Sequence, residues 1–200
     1  MSEAVALGLR AHSGWAAAVT VAGSPIKPII LERGRIETAD DQIAGSKQPY
    51  HAAKELSRET AETLLRHCRE SSTLLATRAV STLVTQVRQN GFTLVGAGIL
   101  LASGRPLPPL AAILRSHALI HTAEGEFFRD VLVSASKHCS LEVTKIKERD
   151  IWETAGKAFG LPIADLQQRI GQLGNLVGPP WRQDEKFASL AAWIALLGSK

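Results

Sequence analysis

Residues 92–102 read Phe-Thr-Leu-Val-Gly-Ala-Gly-Ile-Leu-Leu-Ala, a nearly continuous apolar run that lies between two short turn signals. A strand exposed on one face alternates apolar and polar residues, so a run without alternation predicts a central strand that is covered on both faces. Close packing of this strand explains Gly96 and Gly98 better than a dinucleotide fingerprint does, because no third glycine and no helix start follow them. The run therefore favours a sheet with helices on both sides.

Three further strands are predicted before this run. Residues 4–9 and 15–21 are apolar stretches separated by a short turn, a spacing that is typical of a tight hairpin. Residues 29–36 form a third predicted strand, and its charges together with Pro25 and Pro28 favour a position at the edge of the sheet.

A long helical pattern separates the third strand from the central run. Apolar residues recur at the helical period over residues 51–90, and no proline interrupts them. The pattern predicts either one long helix or two helices that meet near Ser71 and Ser72. A helix of this length would protrude from a domain of this size, and it would offer a surface for a homodimer.

After the central run, helix and strand patterns alternate. A fifth strand is predicted at residues 141–146, and Asp184 is well placed to cap the N-terminus of the final helix. Right-handed crossovers would make the first, fourth and fifth strands parallel. The predicted helices cover residues 110–139, 150–159, 163–176 and 184–197.

Composition and charge set limits on the class of protein. The chain has 200 residues, of which 45% are apolar and 21% are charged, as expected for a single domain over residues 1–200 and not for collagen or a disordered tail. Its net charge of +4 arises within residues 71–123, which contain four arginines and no acidic residue. A surplus of this size is compatible with nucleic acid as a partner but does not identify one.

The sequence also bears on the compartment. Its first residues have no basic segment followed by an apolar core, so we expect no secretory signal. The longest uncharged apolar run, residues 93–102, is about half the length that a membrane helix needs. Cys68 and Cys139 are isolated, which favours reduced thiols. We therefore expect a cytoplasmic protein without a membrane partner.

Four short motifs follow one another along nearly the whole chain. They are the strand pair Leu7-Gly8-Leu9 and Ser13-Gly14-Trp15-Ala16, the segment 123–135 that begins Ala123-Glu124-Gly125, the segment 141–151, and an ending with Gly160-Leu161-Pro162, Gly178-Pro179-Pro180 and residues 184–196. In this order they resemble the ribonuclease H-like superfamily, and within it most closely the bacterial crossover-junction endodeoxyribonucleases, or Holliday-junction resolvases. The resemblance implies a five-stranded mixed α/β sheet of order 3-2-1-4-5, helices on both faces and a long helix after strand three.

The resemblance also implies a nuclease in which four clustered carboxylates hold two Mg²⁺ ions. This sequence departs from that pattern: Arg10 stands at the first-strand position, and no acid lies near Gly98 in the fourth strand. In the last helix Asp184 matches one acid, whereas Phe187 stands at the other position. We therefore expect a divergent domain that binds nucleic acid or acts as a scaffold. An active nuclease with a rearranged acid site, including Asp184 and Glu185 as catalytic residues, is an alternative.

A second group of polar residues lies on the helix after the fourth strand. His117, His121 and Glu124 are spaced i, i+4 and i+7, so the three side chains share one helix face. This spacing can ligate Zn²⁺ or another divalent metal ion, or it can hold a base and its orienting acid, with His121 and Glu124 as catalytic candidates. It predicts a metal-dependent hydrolase or phosphotransfer enzyme as a further alternative. Local hydrogen bonding at a buried helix face explains the same residues without a ligand.

The end of the first strand presents Arg10 and His12 as candidate ligand-binding residues. Ligands in mixed α/β sheets gather outside the carboxyl ends of the parallel strands. We therefore expect one crevice to hold the candidate residues from all three elements. They are Arg10, His12, His117, His121, Glu124, Asp184 and Glu185. Arg105, in the connector after the fourth strand, is a further candidate. A pocket with both cations and acids suits a phosphate or carboxylate ligand better than bare Mg²⁺.

Overall fold

Five strands form one mixed sheet in the computed structural model, which describes residues 2–24, 26–102 and 106–198. The strands follow the order β3-β2-β1-β4-β5. β1 pairs with β2, and β2 with β3, in antiparallel fashion, whereas the pairs β1 with β4 and β4 with β5 are parallel. The predicted order, the edge position of the third strand and the parallel triplet are all confirmed. The strands are β1 (Glu3–His12), β2 (Trp15–Gly23), β3 (Pro28–Glu37), β4 (Phe92–Leu101) and β5 (Glu142–Lys147).

Helices fill the two long connections, from β3 to β4 and from β4 to β5, and further helices follow β5. A short 3₁₀ turn, Glu148–Asp150, comes directly after β5. In the described part of the chain, none of the helices combines the length and the apolarity that crossing a bilayer requires. The α-helices are α1 (Pro49–Ala53), α2 (Arg58–Gln89), α3 (Leu110–Leu114), α4 (His117–His138), α5 (Ile151–Phe159), α6 (Ile163–Val177) and α7 (Gln183–Gly198).

Two predicted helices are each divided into a short helix followed by a long one. Of the two alternatives for residues 51–90, the break near Ser71 and Ser72 is wrong, because both residues lie inside the single long helix α2 of 32 residues. The chain breaks earlier, at Ser57, whose hydroxyl accepts the N–H of Thr60 and caps α2. Ser116 divides the predicted helix 110–139 into α3 and α4 in the same way. The homodimer through residues 51–90 stays a prediction.

The two faces of the sheet carry different helices, as predicted. α2 and α4 cover one face, where Leu7 and Leu9 of β1 pack in one core with Phe127 and Phe128 of α4. α7 covers the other face, where Trp193 lies in a second core together with side chains of β2, β4, β5, α5 and α6. Apolar burial on both sides explains why β4 lacks polar alternation.

α7 lies unusually close to the sheet. Gly8 and Gly98 are neighbours on the parallel strands β1 and β4, and a Cβ atom at either would overlap a backbone carbonyl oxygen of α7, that of Ala188 or Ala191. Close packing therefore accounts for Gly98, as the sequence predicts. The contact fixes α7 across the centre of the sheet.

Candidate functional site

An ion-paired cluster lies at the carboxyl end of β1. The guanidinium of Arg10 donates to both carboxylate oxygens of Glu148, with Nη2 2.6 Å from Oε1 and Nε 3.2 Å from Oε2, and it also contacts Asp184. Glu148 is in the turn after β5, and Asp184 is in the first turn of α7. The Arg10 side chain is only 16% exposed. β1, the turn after β5 and α7 thus place two acids around the guanidinium of one arginine.

His12 extends this cluster. Its Nε2 lies 2.8 Å from Oδ1 of Asp184, and its ring stacks on Trp15 with the ring centres 4.2 Å apart. Burial raises the pKa of the Asp184 carboxyl, but hydrogen bonds from His12 and Arg10 outweigh that effect and hold the pKa below its usual value. For Arg10, burial opposes the charge, yet hydrogen bonds to Glu148 and Asp184 raise its pKa, so it stays a cation.

The two acids at the start of α7 have different partners. The sequence predicts Asp184 as the N-cap, which is wrong: the helix begins at Gln183, and the Asp184 carboxylate contacts Arg10 and His12. Glu185 accepts the N–H of Arg182 at 2.7 Å and so closes the helix start. Among the described residues, no hydrogen bond or ion pair joins the Glu185 side chain to the Arg10 cluster.

Asp184→Asn is expected to remove part of the acid sensitivity of folding. Because the Asp184 pKa is lower in the folded chain than in the unfolded chain, this group contributes stability above about pH 4. That stability is lost as the pH falls through the folded-state pKa. Urea unfolding between about pH 2 and pH 7 should therefore give a wild-type-minus-variant difference that is largest near neutrality and shrinks with acid. The exposed Asp165 supplies the matched Asp→Asn control, and a difference for Asp184 that does not change with pH would contradict the argument.

The cluster does not fit the pair of Mg²⁺ ions that the fold resemblance implies. Mg²⁺ needs oxygen ligands in a near-octahedral arrangement, whereas the Arg10 guanidinium offers only N–H donors and repels a second cation. Both of the acids it contacts, Glu148 and Asp184, are already paired with it. Phe187, at the other acid position of the last helix, lies under the same guanidinium, 5.5 Å from ring centre to Cζ.

A cleft opens beside this cluster, outside the ends of β4 and β5. It has a volume of about 540 Å³ and is lined in part by Arg129, Arg149 and Gln183. The rings of Trp152 and Phe187 also line it and meet edge to face, with centres 6.0 Å apart. Guanidinium groups and aromatic rings in one cleft can hold an anionic group and a flat ring at the same time.

The histidines of α4 form a separate cluster with a residue that the sequence did not predict. Nε2 of His117 and Nε2 of His121 are 3.0 Å apart, and the ring of His51, from α1, lies against both. The predicted third member, Glu124, is buried and contacts Nδ1 of His51 at 2.8 Å. Glu124 is thus paired with His51, whose ring takes the place beside His117 and His121 that the helix spacing suggests for the carboxylate.

The single crevice expected from the sequence is divided into two clusters. No hydrogen bond, ion pair or ring contact among the described residues joins the group around Arg10 to the group around His121. Arg105 lies outside the described residues.

The sequence does not single out Glu148 or His51, for different reasons. Glu148 follows the carboxyl end of a strand parallel to β1, and the crevice rule that selected Arg10 could have selected Glu148 too. His51 lies far upstream of α4, and no local spacing connects it with His117. Only the packing of α1 against α4 brings His51 there.

Comparison with known proteins identifies the fold. No family model matches the chain, and no curated protein matches it in sequence. The solved structure of RuvC from Thermus thermophilus is similar, with a TM-score of 0.56 and 11% identity over 98% of this chain and 97% of that chain. T. thermophilus RuvC in complex with a Holliday junction substrate is similar over 95% of this chain and 90% of that chain, with a TM-score of 0.52 and 11% identity. The chain therefore has the ribonuclease H-like fold of RuvC, as the sequence resemblance implies.

Proposed function

We propose that this chain is a nucleic-acid-binding ribonuclease H-like domain that does not cleave its ligand by the two-metal mechanism. The observation that carries the proposal is the position of Arg10, whose guanidinium is paired with both Glu148 and Asp184. The positive charge that metal ions supply in a two-metal nuclease is here part of the chain. The domain then serves as a binding or scaffolding protein.

Charge and geometry both oppose metal-dependent cleavage at the Arg10 cluster. A divalent ion would have to displace Arg10 from two acids, one of which it holds through two hydrogen bonds. The displaced guanidinium would then lie partly buried without its partners, which is costly. Displacement would also leave only two carboxylates, Glu148 and Asp184, for two metal ions. Glu148 and Asp184 are therefore much more stable paired with Arg10 than they would be as ligands of metal ions.

The cleft beside the cluster supports nucleic acid as the ligand class. Arg149 is 72% exposed, and although its Nε pairs with the neighbouring Asp150, its outer guanidinium nitrogens can reach a phosphate. Trp152 and Phe187 offer aromatic surface for a base. T. thermophilus RuvC, which shares this fold, has been solved with a Holliday junction substrate. We therefore take branched or single-stranded DNA as the first ligands to test.

The test measures binding and cleavage together. Fluorescence anisotropy should detect binding of the full chain to a labelled four-way junction or single strand in EDTA, with little change on adding Mg²⁺. Gel analysis with Mg²⁺ or Mn²⁺ should show intact DNA. Arg149→Ala should weaken binding to each DNA by about fivefold and reduce the salt dependence by about one phosphate contact.

The controls separate the alternatives. Arg58→Ala changes an arginine on α2 that is 83% exposed, and it should leave the affinity unchanged. Absence of DNA and RNA binding at low salt would overturn the proposed function. Metal-dependent cleavage that disappears in Asp184→Asn would establish the alternative of a rearranged nuclease site.

A further inference from the structure

We propose that His51, His117 and His121 form a mononuclear site for a transition-metal ion of the Zn²⁺ class, and that Glu124 positions His51 for it. One ring nitrogen from each histidine lies within 4.8 Å of the other two. The site is built from α1 and α4 and uses none of the residues of the Arg10 cluster. Metal binding at this site therefore does not depend on whether the chain binds nucleic acid.

The ring geometry is close to that of a three-histidine metal site. The ring centres of His117 and His121 are 4.4 Å apart, and His51 lies 4.7 Å from His121 and 5.6 Å from His117. In a tetrahedral Zn²⁺ site the ligand nitrogens are about 3.3 Å apart, which follows from Zn–N distances of about 2.0–2.1 Å. The rings of His117 and His121 are exposed, so small rotations can bring the three nitrogens to that spacing.

Glu124 is the second observation that points to a ligand. Its side chain is only 4% exposed, and its carboxylate accepts the backbone N–H groups of Tyr50 and His51, each at 3.1 Å. The other carboxylate oxygen lies 2.8 Å from Nδ1 of His51. An ionised carboxylate is only an acceptor, so neutral His51 carries its proton on Nδ1 and keeps the lone pair on Nε2. In metal sites of proteins, the same hydrogen bond from a histidine to a carboxylate fixes the tautomer and the ring orientation of the metal-binding histidine.

The donor set selects the class of metal. Neutral imidazole nitrogens suit Zn²⁺, Co²⁺, Ni²⁺ and Cu²⁺, whereas Mg²⁺ and Ca²⁺ require oxygen ligands. Three protein ligands leave the fourth tetrahedral position for water or an anion, and the exposure of His117 and His121 gives solvent access to that position. The site therefore has the open coordination of a metal that binds an exogenous ligand.

The test is a metal titration of the untagged, chelator-treated full chain. Zn²⁺ should bind with a stoichiometry of one by isothermal titration calorimetry, and Co²⁺ should give the visible absorption of a tetrahedral nitrogen site. Mg²⁺ should not compete. His121→Ala and His117→Ala should each weaken Zn²⁺ binding by more than about tenfold, because each removes one of three ligands.

Glu124→Gln separates a positioning role from a purely structural one. The glutamine oxygen can still accept the two backbone N–H groups, but its amide N–H₂ faces Nδ1 of His51 and favours the tautomer with the proton on Nε2. The affinity for Zn²⁺ should fall about 10- to 100-fold, the range measured for such partners, while one site remains. ¹⁵N NMR of the His51 ring should show the tautomer change without metal.

His138→Ala is the matched control, because His138 lies on the same helix but outside the three-histidine cluster. Its Nδ1 contacts the backbone carbonyl of Ser134, one turn earlier, at 2.8 Å. This variant should bind Zn²⁺ like the wild type. The unfolding temperature of metal-free His121→Ala should equal that of the wild type, since the residue is exposed, so loss of binding there reports a ligand. A wild-type chain that binds no Zn²⁺ or Co²⁺ at micromolar concentration, or His121→Ala that binds normally, would overturn the proposal.

Discussion

Gly98→Ala is expected to lower the free energy of unfolding by about 3 kcal/mol and the Tm by about 6–12 °C. The new methyl group would overlap the carbonyl carbon and oxygen of Ala191 in α7. Backbone atoms cannot rotate away as a flexible side chain can, so the whole of α7 has to move from the sheet. Differential scanning calorimetry and urea unfolding measure the loss.

Two further glycine variants test this explanation. Gly34→Ala lies on the exposed edge strand β3 with no heavy atom within 4 Å of the added methyl, and it should be neutral or slightly stabilising. Gly8→Ala meets the Ala188 carbonyl of the same helix, and one shift of α7 relieves both overlaps. The double variant should therefore cost less than the sum of the two single variants. Equal stability of Gly98→Ala and Gly34→Ala would rule out the close approach of α7.

The sheet could be predicted from sequence because its signals are local. The apolar run of β4 and the two apolar stretches of the β1–β2 hairpin reflect burial, and the short turn between β1 and β2 and the charges and proline of β3 mark a hairpin and a sheet edge. The helix breaks at Ser57 and Ser116 were missed because a capping serine does not interrupt the apolar period. Periodicity locates a helix better than it locates its ends.

The candidate site was only partly predictable, for a different reason. Arg10 and Asp184 could be selected from positions in the resemblance, and His117 with His121 from their spacing on one helix. Glu148 and His51 join these groups through tertiary contacts between elements that are far apart in the chain. Helix phase places Glu124 on the right face, but it does not reveal that this carboxylate is buried and bonded to α1.

Arg10→Asp is expected to make the stability of the folded chain depend on free divalent ions, because it removes the positive charge that Arg10 places between Glu148 and Asp184. Without Arg10, Glu148 and Asp184 lose their shared partner, and a third carboxylate joins them at the end of β1. Mutual repulsion should lower the free energy of unfolding by about 3 kcal/mol in EDTA. Three carboxylates are also hard oxygen ligands for Mg²⁺ or Mn²⁺. Saturating Mn²⁺ should therefore raise the Tm of the variant by about 5–10 °C, through preferential binding to the folded chain.

Two other substitutions at the same position distinguish charge from ligand count. Arg10→Lys keeps one positive charge between the acids, so its Tm should not respond to Mn²⁺. Arg10→Ala leaves the two acids without a third, and it should respond less than Arg10→Asp does. Mn²⁺ electron paramagnetic resonance gives the number of bound ions directly, and wild-type and Arg10→Lys chains should show none at this cluster. If the Tm of Arg10→Asp in EDTA and in millimolar Mn²⁺ were the same, Glu148 and Asp184 would not be arranged around a cation position. The account of Arg10 as the replacement for a metal ion would then fail, because the position it fills would have no affinity for the ion it replaces.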